Sequence, residues 1–264
     1  YVINCKSIMT AEKYQVVDNA EKKRVELHLH TNMSSMDGMT SAKDLVSRAA
    51  KWGHKAIAIT DHGVMYGAVA FYRACKAEGI KPIIGCEAYI VADRHQKNKD
   101  TERRYHLILL AKNATGYHNL IKLISIGFTE GSYYGKPRID HKILEELHEG
   151  IICCSACIAG EIPRAIIAGD MKGAEEAIMW HKNIFGEDFY LEVQQHKTEI
   201  PGQSQEVYER QLVANEGIFE LAEKTGTKVV ATNDVHFTRK EDGPAHDRLI
   251  CLTTNVNIDN PDRL

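Results

Sequence analysis

Apolar residues fall in short blocks along the chain, and the blocks switch between two spacings. Residues 24–30 read R-V-E-L-H-L-H. That period of two predicts a strand with His28 and His30 on one face and Leu27 and Leu29 on the other. Six further compact blocks, at 55–60, 82–91, 105–111, 150–155, 188–194 and 227–232, predict six more strands. Between them, spacings of three and four predict helices over 42–52, 68–78, 116–128, 140–147, 162–168, 172–184 and 204–225, with a last one within 243–264. Gly53, Gly79 and Gly226 stand where three of these should stop. Residues 1–23 are polar and read as a linker or the end of a preceding module, leaving 24–264 as one domain. Residues 92–104 and 129–139 read as loops.

Strands that alternate with helices pair in parallel through right-handed crossovers. The pattern fits either a closed (β/α) barrel or an open doubly wound sheet. No G-x-G-x-x-G follows a strand, and neither a P-loop nor G-x-S-x-G is present.

Composition narrows the class. The 264 residues are 44% hydrophobic and 26% charged, ordinary for a globular domain. A net charge of −3 is not the basic footprint of an autonomous nucleic-acid-binding domain. No apolar run approaches membrane-spanning length, and the start lacks signal-peptide character. Seven irregularly spaced cysteines then imply free thiols and a reducing, cytoplasmic setting. The first residue is Tyr1 and the chain stops at Leu264, as a piece cut from a longer chain would.

Ligand-type residues recur where the strands are expected to end. The first block carries His28 and His30, with Asp37 seven residues on. The second exits into Asp61 and His62, the third holds Glu87, the fifth exits into Cys157, and the seventh into Asp234 and His236. Barrels place their chemistry at the carboxyl ends of strands. His106 fits less well, because it opens its block. A mixed N/O set with one thiol suits Zn, Mn or Fe, and nine donors suffice for two to three divalent metal ions. Clustered ions of this kind favour phosphate-ester hydrolysis.

The stretches H-L-H-T, I-T-D-H-G, G-C-E-A-Y, S-A-C-I-A-G-E-I-P and A-T-N-D-V-H-F together resemble the PHP (polymerase and histidinol phosphatase) superfamily. The pattern is most similar to the branch at the amino-terminal end of bacterial replicative DNA polymerases. The resemblance implies a distorted seven-stranded (β/α)7 barrel, TIM-like in outline. It implies metal ligands at His28, His30, Asp37, His62, Glu87, His106, Cys157, Asp234 and His236. Among these it implies catalytic roles for His28, His30, Asp37, Asp234 and His236. The activity implied is metal-dependent 3′–5′ exonuclease, with a DNA 3′ end as substrate and the rest of a polymerase chain as partner. The start of the chain resembles the long form of that subunit. The stretch from Glu87 to His106, which holds no inserted domain, resembles the short form. Two other functions fit the residues: a stand-alone histidinol-phosphatase-like phosphomonoesterase, and a non-catalytic, metal-stabilised module that docks the polymerase body or a separate proofreading exonuclease subunit.

Other polar residues have plainer readings. Cys5, Cys75, Cys86, Cys153, Cys154 and Cys251 read as small buried hydrophobes. His54, His95, His118, His141, His148, His181 and His246 read as solvated or structural. Asp61 reads as orienting a neighbour, and Glu192 and His196 as supports for a ligand or contacts to substrate. Arg94, Lys97, Lys99, Arg103 and Arg104 form a basic loop that could touch a phosphate backbone, and Tyr133 and Tyr134 could stack on bases.

Overall fold

A computed structural model describes residues 16–98, 103–198 and 205–260. Cys5, Lys99 and most of the expected linker lie outside them. In order, the strands are β1 (Ala56–Ile59), β2 (Lys81–Val91), β3 (Tyr105–Ala111), β4 (Arg138–Asp140), β5 (Ile151–Cys154), β6 (Phe189–Val193) and β7 (Lys228–Ala231). The helices are α1 (Ala42–Lys51), α2 (Ala68–Glu78), α3 (Ala114–Thr129), α4 (His141–Glu146), α5 (Glu161–Ile167), α6 (Met171–Phe185), α7 (Glu206–Thr225) and α8 (Gly243–Thr254). Local chemistry sets several boundaries. The side chains of Ser41, Asn113, Asp140 and Asp170 accept from backbone N–H groups in the first turns of α1, α3, α4 and α6. Left-handed Gly79 and Gly226 terminate α2 and α7.

The sheet runs β1-β2-β3-β5-β6-β7, with β4 paired to β2. It is not all parallel, contrary to the expectation from alternation. β3 runs antiparallel to both β2 and β5. Residues 24–30 form no regular strand either. The backbone bends at His28 and makes only single parallel bridges, Glu26 to Ile57 and Leu29 to Val235. The bend sends Leu27 into the interior cluster and Leu29 to the outer layer, so the two leucines do not share a face. The seventh strand is instead β4, within a stretch expected to be loop. Its Arg138 is fully buried and donates to the carbonyls of Gly131, Arg94 and Gln96.

The bridged segment joins the two edges of the sheet. His30 N donates to Val235 O at 2.8 Å, Val235 N to His28 O at 3.0 Å, and Thr60 N to Leu29 O at 2.8 Å. The curled sheet therefore closes through 26–30 into a distorted, seven-stranded barrel. Strand alternation divides the core. Leu107 and Leu109 of β3 join the outer layer with α3, α5, α6 and α7, while Ile108 and Leu110 pack inside with Ala58, Cys154 and Ala156. That small apolar plug fills the barrel below one rim. His106 and Glu87 follow the same inward alternation and lie above it.

Candidate metal centre

The reversed strand explains His106. Because β3 is antiparallel, its first residues lie at the rim where the other strands end, and His106 pairs with Tyr89 near the end of β2. The structure brings all nine expected residues into one cluster at that rim. Glu87 is its hub. Its Oε1 lies 3.2 Å from His28 Nε2 and 2.9 Å from His106 Nδ1, and its Oε2 lies 3.5 Å from His30 Nε2 and 2.5 Å from His62 Nδ1. Cys157 Sγ is 3.7 Å from His106 Nδ1. Asp234 Oδ1 reaches His28 Nε2 at 3.1 Å and His30 Nε2 at 3.2 Å. Asp37 Oδ2 reaches His62 Nε2 at 2.8 Å and His236 Nε2 at 3.3 Å.

Sequence reasoning set one member aside. His246, on α8, places its Nε2 3.5 Å from Asp37 Oδ1. Nothing in the polar A-H-D stretch around it marks this role. His196, by contrast, is structural: its ring meets the Asn233 carbonyl and Gln211.

Buried partners hold two imidazoles in register. His28 Nδ1 donates to Glu192 Oε1 at 2.7 Å, and Glu192 is fixed by Gln194 and Thr232. His30 Nδ1 donates to Ser34 Oγ at 2.9 Å, and Ser34 donates to Asp61 at 2.9 Å. Both arrangements leave Nε2 facing the carboxylates. Three non-glycine residues with left-handed backbone sit at or beside the cluster: Met36, Ala156 and Asp234, at φ 62, 62 and 48. Each costs on the order of 1 kcal/mol, and such conformations gather at functional sites.

The electrostatics are polarised. Burial disfavours charge on His28, but Asp234, Glu192 and Glu87 outweigh it and hold its pKa well above the ordinary value. His62 is likewise raised, to about 10, by Glu87 and Asp37 against burial. His30 is pushed down to about 3 by burial and by neighbouring His62. Glu87 and Asp234 stay below the usual carboxylate range despite burial, because imidazoles surround them.

Whether these residues fit divalent ions can be tested on their unmet polar atoms. His28 Nε2, His30 Nε2, His62 Nδ1, Glu87 Oε2 and Asp234 Oδ1 are all buried with no good hydrogen bond. Buried polar atoms without partners cost about 1–3 kcal/mol each. Here they converge: His30, His62 and His236; His28, His30 and Glu87; and His62, Glu87 and His106 each place donors within 4.8 Å of one another. Such groups could hold divalent ions, and Glu87 belongs to two of them, so the residues fit.

A curled barrel whose rim gathers imidazoles and carboxylates able to hold metal ions is the class that this fold and site define. A family model described as "PHP domain" matches residues 26–196, and the chain belongs to that family. The relatives carry one name, DNA polymerase III subunit alpha. The chain is 42% identical to that of Borreliella burgdorferi over 91% of its own length. It is 43% identical to that of Treponema pallidum over 91%, and 42% identical to that of Aquifex aeolicus over 89%. It spans 20% of each relative's length. No helix among the described residues is long and apolar enough to cross a membrane.

Proposed function

We propose that the chain is the PHP portion of a replicative polymerase alpha subunit, and that its rim hydrolyses phosphodiesters at DNA 3′ ends with two to three bound ions. His28, His30, Asp37, His62, Glu87, His106, Cys157, Asp234 and His236 would hold the ions. The observation that carries the reading is the convergence of buried, unmet imidazole and carboxylate atoms from four separate elements or loops on one rim. Ions such as Zn, Mn or Fe supply activation of water and neutralisation of charge on phosphate. The chain's own residues do the rest. Glu87 and Asp234 offset positive charge while keeping the histidines apart. Glu192 and the Ser34–Asp61 pair hold the Nδ1 atoms of His28 and His30 and so aim their Nε2 atoms at the cluster. The apolar plug below the rim excludes water from the other side.

Elemental analysis paired with a nuclease assay on 5′-labelled single-stranded DNA tests the proposal. The double variant His28→Ala, Asp234→Ala should lose bound metal and nuclease activity together. Nuclease activity retained in that variant rejects the assignment. Hydrolysis of phosphomonoesters with no action on DNA would favour a small-molecule phosphatase instead.

A further inference from the structure

Two surface loops that are distant in sequence meet beside the cluster. The first is the short described stretch of Arg103 and Arg104 that leads into β3, with Arg104 two residues before His106. The second precedes β4 and contains a tight turn over Tyr133, Tyr134, Gly135 and Lys136. Tyr133 and Lys136 exchange backbone hydrogen bonds of 3.1 and 3.0 Å, and Tyr134 and Gly135 have φ of 47 and 72. Two positive φ values in succession define a type I′ turn, a rigid conformation. The turn is anchored on both sides. Arg138 stacks its guanidinium 4.9 Å from the Tyr133 ring. Pro137 sits so close to Gly63 that a Cβ there would fall 2.8 Å from the proline ring. Gly63 follows His62 directly, so the base of the turn packs against a residue next to the cluster.

Lys136 points to the same place. Its Nζ donates to the Tyr89 hydroxyl at 3.1 Å, and the Tyr89 ring lies 6.1 Å from His62 and 5.4 Å from His106. Burial and the neighbouring Arg104 charge both disfavour the Lys136 ammonium. Among the described residues, neither cation pairs with a carboxylate. Arg94, from the same basic loop, differs: Asp140 and Glu130 hold it at 2.9 and 2.7 Å. Tyr134, at the tip, is 71% exposed.

On this basis, and resting on the hydrolytic reading above, we infer that Lys136 and Arg104 form a lip that grips the phosphates of single-stranded DNA entering the rim, with Tyr134 stacking on a base. Neighbouring exposed cations are stabilised when a phosphate arrives between them. An exposed aromatic ring on a rigid turn accepts any base face. A net-negative domain would thus carry one local positive entry for its substrate.

Fluorescence anisotropy with a labelled oligothymidylate, in excess chelator, measures binding apart from hydrolysis. The double variant Lys136→Gln, Arg104→Gln removes both charges while keeping polar side chains and should bind at least about tenfold more weakly. Its slope of log affinity against log salt should fall by about 1.4, two single-strand phosphate contacts. Tyr134→Ala should cost about tenfold with the slope unchanged. Lys136→Arg should recover most of the binding, and Lys172→Ala, an exposed residue of α6 paired with Glu176, should change nothing. Equal binding by wild type and the double variant, or no binding by wild type, overturns the lip. Hydrolysis of bis(4-nitrophenyl) phosphate by wild type would leave the hydrolytic reading standing in either case. Tight binding that depends on Lys136 and Arg104, without hydrolysis of any diester, supports the lip and rejects the hydrolytic reading.

Discussion

The Nδ1 of His28 lies 2.7 Å from Glu192 Oε1, although 164 residues separate them. Both side chains are fully enclosed, and Thr232 and Gln194 donate to the same carboxylate oxygen. A carboxylate behind a ligand imidazole fixes its tautomer and raises its basicity.

Glu192→Gln should therefore weaken metal binding while leaving the fold in place. The expected loss is about 10- to 100-fold in affinity, read by calorimetric titration with Mn or Zn. Affinity within about twofold of wild type would remove Glu192 from this role.

Metal should also stabilise the fold. At about 100 times the dissociation constant, an ion bound only by the folded chain adds about 2.7 kcal/mol. For a domain of this size that raises Tm by about 5–10 °C, which thermal scanning with and without chelator would detect. The shift should vanish in the double variant His28→Ala, Asp234→Ala. A shift that persists there would point to ions bound elsewhere.

His246→Asn separates support from ligation. Asp37 would keep His62 and His236 and lose one of three imidazoles. Metal affinity should fall by roughly 10-fold, the low end of what an outer partner contributes, and by less than in His236→Asn. Equal losses in the two variants, measured side by side, would make His246 a ligand in its own right.

Acid should weaken the fold through His181. Burial holds its pKa down to about 4, and its ring stacks 5.0 Å from Phe189 while Nδ1 donates to the Ala177 carbonyl. The unfolded chain takes up this proton near pH 6.5, the folded chain only near 4. Stability is thus intact above 6.5 and falls as pH drops towards 4. The total loss is about 3 kcal/mol at about 1.4 kcal/mol per unit. Urea unfolding at pH 7 and pH 5 should show it, and His181→Phe should flatten the slope between those values. An unchanged slope in that variant would assign the acid sensitivity to other groups.

Much of this architecture is legible in the sequence because burial imposes a period. The expected helix at 68–78 and strand at 105–111 match α2 and β3 residue for residue. Direction is not legible: the inward alternation of His106, Ile108 and Leu110 reads the same whichever way β3 runs. β4 was hidden because two of its three residues are charged, and only tertiary partners allow Arg138 and Asp140 to be buried. The bend at His28 was hidden because the two histidines converge on Asp234 in spite of it. His246 was hidden because a helix in a polar stretch gives no sign of what faces it.

The barrel's final closure has its own consequence. Residues 26–30 meet the backbone around Val235 through a few hydrogen bonds, and Glu26 accepts from Asn233 N across 207 residues. The same two short segments bear His28, His30, Asp234 and His236. Ions held at the cluster would therefore tighten that seam, a clasp whose buckle is the cluster itself. Amide hydrogens of His30 and Val235 should exchange with solvent in concert, since the beginning and end of the domain can come loose there only together.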